Sequence, residues 1–458
     1  MKPPGLTPDL ILPFVLLDLV IIFVAARLMG TLSLRFGQPR VVGEIVAGVL
    51  LGPTLLGPKI FTWTDSWEVL HCKDSLGVAA AGTKPSITSC VFPQQARGVI
   101  GILGQIALVF FMFLVGLELD YRLLAGKVRG VVTVAVGVVV IPVALAFVVG
   151  PLLYDDKFTG ALDPSKTSFT LMVGAMLAVT AFPVMARILQ EKGLTQSTMG
   201  SVGIAAAALV TVLMFLVVAV AKGVATDQST GDQALTFVNT AIFLAVMFLV
   251  VRPLLERFLG RPYEAAGELS ATVFAVAVIV AFASAYVADR IGINVIVGGF
   301  LAGAVMPARK QLFRDMAARL SDLTAVILLP IFLAFSGLNT DFTTLGASFV
   351  AGIALFLVAG IVGKWLGGAL SARAGGLSWQ EGNVIGILMN CRGLLVLVVA
   401  LVAFNAGVIS PQLQAGGVLM ALITTMMTGP LFDRFQPAEA AAAPPAPAQP
   451  VPVKTPSG

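Results

Sequence analysis

Val179-Thr180-Ala181-Phe182-Pro183 and Asn390-Cys391-Arg392-Gly393 are short interruptions inside long apolar runs, and their placement decides the fold. Pro183 has no N–H to donate and frees a carbonyl upstream. The second stretch sets an amide, a guanidinium and a glycine between apolar neighbours. A helix in lipid tolerates such breaks only where surrounding protein or a lined cavity satisfies the backbone. The breaks fall in the fifth and twelfth of thirteen apolar runs, at about 10–29, 41–56, 98–119, 129–150, 168–189, 197–221, 234–258, 270–288, 291–306, 320–338, 346–371, 381–404 and 411–430. With runs two to six and nine to thirteen as inverted repeats, the two breaks become equivalent. Paired broken helices near the midplane point to a substrate site of a secondary transporter. The expected fold is therefore all-α and integral to the membrane, with about 13 transmembrane helices. The second and ninth runs are short, as half-length or strongly tilted helices would be.

Composition excludes the soluble classes. Of 458 residues, 58% are hydrophobic and 12% charged, against about 25% charged in soluble domains; mean hydropathy is +0.97. The net charge of +5 is no nucleic-acid signal, because the basic residues lie between apolar runs rather than in one patch. With the N-terminus outside, cytoplasmic segments hold eighteen of the 29 Lys and Arg residues, outer segments nine and the membrane interior two. That excess predicts an inner or plasma membrane protein with N-terminus outside and C-terminus cytoplasmic. Leu10 to Met29 contains Asp18, followed by Arg27 and Arg35, with no cleavage site, so it reads as the first span rather than a signal peptide.

Residues 1–9 are expected to form a short outer terminus and 58–97 an outer loop, with Trp63 and Trp67 as interfacial anchors. Cys72 and Cys90 in that loop are left open as disulfide or free thiols, and His71 is isolated. The Ala/Pro-rich stretch 431–458 is expected to be a disordered cytoplasmic tail. No P-loop, dinucleotide fingerprint or zinc-type spacing occurs, so neither a nucleotide, a metal nor another cofactor is expected, and no nucleophile–base constellation points to an enzyme.

Two basic residues sit where charge is costly. Lys364 lies nine residues from Arg373, about 14 Å deep at ~1.5 Å per residue. Arg392 lies eleven residues after Glu381, at similar depth.

The stretch from Arg40 to Pro53 (RVVGEIVAGVLLGP) resembles the early signature of the monovalent cation:proton antiporter-2 family. The stretches from Phe113 to Asp120 (FLVGLELD), Thr180 to Leu189 (TAFPVMARIL), Gly299 to Pro307 (GFLAGAVMP), Leu329 to Leu338 (LPIFLAFSGL) and Leu388 to Leu394 (LMNCRGL) continue the resemblance in order. It spans about 10–430 and is nearest the branch of plant cation/proton exchangers. It implies a sodium/proton antiporter-like fold, in which a core with two crossed broken helices moves against a dimerisation panel. Core helices are then expected at about 98–221 and 320–430, in a homodimer within the lipid bilayer. The implied activity is exchange of Na+ or K+ for protons. The short tail leaves no place for the nucleotide-binding domain of potassium-efflux relatives.

One departure bears on mechanism. Such antiporters place an Asn-Asp or Asp-Asp pair in mid-membrane, where this chain has Val210 and Thr211, and no carboxylate occurs between Glu191 and Asp227. Lys364 matches the lysine that pairs with the family's acid. Asn294 stands where relatives often have His, and Leu394-Leu395 where many have Glu. A dehydrated cation needs oxygen ligands and ordinarily a countercharge. Thr180, Thr211, Asn390 and freed carbonyls offer oxygens, while Lys364 and Arg392 add positive potential. The candidate substrate or ion site is therefore Thr180, Phe182, Val210, Thr211, Lys364, Asn390 and Arg392, with Lys364 the candidate proton carrier. Three readings stand: a cation/proton antiporter of atypical mechanism, a proton-linked transporter of an anionic or amphipathic organic solute, and a non-transporting descendant.

Overall fold

The computed structural model describes residues 8–56, 91–117, 128–161, 163–181, 185, 188–189, 194, 197–225, 230–338, 340–344 and 346–435. These are helical apart from short connections, with one isolated β-bridge between Thr159 and Ile409. The helices are α1 (Pro8–Arg35), α2 (Arg40–Leu51), α3 (Gln94–Leu117), α4 (Val128–Leu153), α5 (Lys166–Ala178) and α6 (Thr198–Ala225). A composite α7 runs from Thr230 to Ala266, followed by α8 (Ala271–Arg290) and α9 (Val295–Ala304). A second composite, α10, runs from Lys310 to Leu338, followed by α11 (Ala347–Ala374), α12 (Trp379–Met389), α13 (Gly393–Asn405) and α14 (Pro411–Phe435).

Among the described residues, eight helices are long and apolar enough to cross a membrane: α1, α3, α4, α7, α8, α10, α11 and α14. The second and ninth runs form helices of only 12 and 10 residues. The fifth and twelfth runs break where Val179 and Asn390 leave the helix. Most of the 58–97 loop, with Trp63, Trp67, His71, Cys72 and Cys90, lies outside the described residues, as do 1–7 and 436–458. The expected tail begins too early at 431, because α14 continues to Phe435.

Local chemistry explains the ends and irregularities. Ser165, Ser270 and Ser378 cap α5, α8 and α12, Ser378 in a reciprocal capping box with Glu381. Three π-helical turns, Met247–Val251, Glu256–Gly260 and Leu323–Leu328, each end two residues before a proline: Pro253, Pro262 and Pro330. A proline cannot donate to the fourth carbonyl behind it and crowds it, and widening the preceding turn relieves that conflict.

Packing obeys a two-fold exchange of one half of the chain with the other. α1 packs on α2 as α8 packs on α9; α2 packs on α10 as α9 packs on α3. α4 packs on α5 as α11 packs on α12, and α4 and α11 pack on each other at the centre. The contacts rest on matched glycines. A Cβ on Gly43 would overlap the Met29 carbonyl of α1, and one on Gly298 would overlap the Ser284 carbonyl of α8. A Cβ on Gly48 would lie 2.7 Å from Ala334 Cα of α10, and one on Gly303 would overlap the Phe113 carbonyl of α3. The segments from Val42 to Gly48 and from Val297 to Gly303 share the pattern Val-Gly-x-x-x-Ala-Gly. α3 and α10, grouped with the core on sequence grounds, have α9 and α2 as principal partners.

Candidate functional site

The two breaks meet inside the protein. α5 gives way to extended backbone at Val179 (ψ 142°), and α12 ends at Met389. Helix ends leave carbonyls without donors, and each broken chain serves those of the other. Thr180 Oγ1 donates to Met389 O at 3.1 Å and Ala181 N to Cys391 O at 2.7 Å. In return Arg392 Nη1 donates to Met176 O, in the last turn of α5, at 2.6 Å. The chain restarts at Gly393 with φ +44°, a left-handed conformation that glycine adopts at little cost, and its N–H reaches Thr425 Oγ1 on α14 at 3.1 Å.

The crossing is fastened to one turn of α11. Arg392 Nη2 donates to Gly360 O at 2.5 Å and Asn390 Nδ2 to Ile361 O at 3.0 Å. Lys364, next along that turn, donates from Nζ to Val138 O of α4 at 3.1 Å. That carbonyl is free for a local reason. Its helical donor would be the N–H at position 142, and Pro142 has none. Thr180, Lys364, Asn390 and Arg392 are each at most 1% exposed, and Lys364 lies within electrostatic reach of Arg392. Among the described residues, no carboxylate bonds to either. Asn390 Oδ1 and Arg392 Nε have no partner. The C-terminal ends of α5 and α12, with their partial negative charge, both face the crossing.

The remaining expected site residues are less directly placed. Val210 and Thr211 are buried on α6, which packs against α5, α12 and α13. The Thr211 hydroxyl donates back to Ala207 O of its own helix at 3.0 Å. Phe182 and Pro183 lie outside the described residues.

Sequence reasoning missed two features. One is a cavity of about 230 Å³ at the end of the bundle where α3 and α9 begin and α13 ends; Gln105, Asp289, Asn294 and Asn405 line it above an aromatic floor of Phe332 and Phe335. No local pattern joins these residues. The other is Asp18 on α1, wholly buried, with neither carboxylate oxygen partnered and Arg97 acting on it electrostatically. A carboxylate midway along an apolar run was the available signal. Among the described residues, no group of His, Cys, Asp and Glu side chains could hold a metal ion.

The profile of the sodium/hydrogen exchanger transmembrane family matches residues 20–434. The chain belongs to this family. Exchanger-family relatives include the Na(+)/H(+) antiporter NhaS4 of Synechocystis sp., 34% identical over 430 residues, 93% of this chain and 98% of that protein. Cation/H(+) antiporter 17 of Arabidopsis thaliana is 30% identical, and K(+)/H(+) antiporter 1 of Saccharomyces cerevisiae 28%. Their alignments cover 92% and 87% of this chain but only 48% and 44% of those proteins, so the chain spans about half their length. Among solved structures, the sodium proton antiporter MjNhaP1 of Methanocaldococcus jannaschii superposes with a TM-score of 0.62 at 14% identity, covering 92% of this chain and 96% of that one. The exchanger family comprises multi-pass secondary transporters, and the fold is theirs.

Proposed function

We propose that the chain exchanges a monovalent cation, Na+ or K+, for protons, using the crossing as ion site and Lys364 as proton carrier. The curated relatives named above carry Na(+)/H(+), K(+)/H(+) or cation/H(+) antiporter names, which supports the ion class. The observation carrying the reading is that both membrane-embedded cations are already bonded to backbone carbonyls. Lys364 holds Val138 O, and Arg392 holds Met176 O and Gly360 O. These bonds commit one Lys364 donor and two Arg392 donors to the scaffold, with Arg392 Nε left unpartnered. The unpartnered Asn390 Oδ1 and the carbonyl ends of α5 and α12 favour a cation. Arginine stays protonated at physiological pH, whereas lysine exchanges its proton. A neutral Lys364 amine still has N–H groups for Val138 O, so the proton can leave without breaking that contact.

The moving body in this reading is α4–α6 with α11–α14, working against a panel of α1–α3 and α8–α10. We place the N-terminus outside, in keeping with the basic-residue excess, and expect a homodimer in the bilayer. The test is purified protein in liposomes with an imposed pH gradient. Adding Na+ or K+ should dissipate the gradient, and Lys364→Gln, which keeps a donor for Val138 O but cannot titrate, should abolish the effect. Folded protein that responds to neither ion would sink the reading.

A further inference from the structure

The cavity beside α13 has a composition that the crossing does not explain. Its wall is shared between two bodies. Asn405 ends α13, in the body proposed to move, while Gln105 on α3, Asp289 at the end of α8 and Asn294 at the start of α9 belong to the panel. Among the described residues, one carboxylate and three amides converge there, and no lysine or arginine lines it.

Among the described residues, the neighbouring positive charges, Arg290 and Arg97, are both engaged elsewhere. Arg290 lies over the Tyr286 ring, 5.6 Å from its centroid, with Nε donating to the hydroxyl at 3.3 Å. Arg97, one turn before Gly101, gives its Nε to Phe92 O at 2.7 Å and is engaged electrostatically by Asp18. The Asn294 Oδ1 caps α9 through Ile296 N, so its oxygen is committed to the helix. Gln105 and Asn405 are exposed to the cavity, and Asp289 forms no ion pair among the described residues. A space of about 230 Å³ holds several water molecules at ~30 Å³ each. It therefore suits an ion that keeps most of its hydration, unlike the tight crossing beneath.

We propose that this cavity is an outer recruitment site for a hydrated monovalent cation. Asp289 supplies the countercharge, and Gln105 and Asn405 supply carbonyl oxygens. Because Asn405 rides on the moving body, the site is complete only while the cavity is open to the outside. A charge in a confined mouth concentrates counter-ions ahead of the narrow site. One charge about 5 Å away in a water-like dielectric changes local ion concentration about four-fold. This inference rests on the cation reading and on the N-outside orientation.

Two arms test it separately from that reading. The first needs no transport. Asn405→Cys is introduced with Cys72→Ser and Cys90→Ser, Cys391 being buried. Its modification is timed with a trimethylammonium and a sulfonate methanethiosulfonate reagent at low ionic strength. Asp289→Asn should slow the cationic reagent and speed the anionic one, each about four-fold. High choline chloride should remove the difference by screening. In the second arm, oriented proteoliposomes carrying Asp289→Asn should need about four-fold more external NaCl or KCl for half-maximal proton release. The half-saturating internal concentration should be unchanged, and Asp289→Glu should restore the external value. Thiol rates indifferent to Asp289→Asn, or an unchanged external half-saturation, would overturn the recruitment site. Absence of cation-driven proton flux in the parent protein would instead overturn the proposed function, while the thiol arm still decides the cavity.

Discussion

Replacing Lys364 with Met probes the contact that joins α11 to α4 at mid-membrane. Methionine is similarly unbranched, so packing is largely kept, but Val138 O loses the Lys364 donor. An orphaned buried carbonyl costs about 1–3 kcal/mol. Removing a buried ammonium group works in the opposite direction by relieving desolvation, so the single variant alone is uninformative. Pro142→Ala separates the two effects. It restores a helical N–H at position 142, aimed at Val138 O, so that Lys364→Met then strands nothing. The proline change has its own effect on stability, because Pro142 packs against Gly363 of α11. That effect enters both backgrounds and cancels in a double-mutant cycle. The expected coupling is about 1–3 kcal/mol, with Lys364→Met more damaging when Pro142 is present. Denaturant unfolding of all four proteins in detergent micelles, with equal slopes as the check on two-state behaviour, measures it. Additivity within about 0.5 kcal/mol, the range for independent sites, would refute the view that Lys364 serves the carbonyl freed by Pro142.

Gly303→Ala should destabilise the protein by about 2 kcal/mol or more, since its Cβ overlaps the Phe113 carbonyl and backbone must move. Gly130→Ala, whose nearest neighbour is 3.7 Å away in the first turn of α4, should be neutral or gain up to ~1 kcal/mol in the same unfolding assay. Val210→Asn with Thr211→Asp places a carboxylate on α6 beside the broken helices. Increased cation-driven proton flux in liposomes is expected, and a folded double variant with no gain would show that the acid's absence is not what sets the rate.

Much of the fold was legible in the chain because membrane insertion writes itself locally. A run of apolar residues must satisfy its own backbone in lipid, so span positions, the short second and ninth runs and the two interruptions at Thr180 and Asn390 follow from residue type alone. The internal repeat was legible too, in the pattern Val-Gly-x-x-x-Ala-Gly shared by the segments beginning at Val42 and Val297. Pro142 announces that Val138 O lacks a helical donor, although nothing local says which residue answers it.

The tertiary structure decided the rest, because hydrogen-bond partners in a bundle are chosen across helices and not along them. Lys364 and Arg392 read from sequence as added positive potential, the feature behind the alternative of an anionic solute. Assembled, they close carbonyls 226 and 216 residues away, at Val138 and Met176, so their charge is tied into the scaffold of the crossing. Likewise Gln105, Asp289 and Asn405 belong to three separate helices and become one cavity only when α3, α8 and α13 are brought together. The sequence determined that the chain crosses the membrane and where its helices break. Only packing determined which polar groups are satisfied, and hence which remain for an ion.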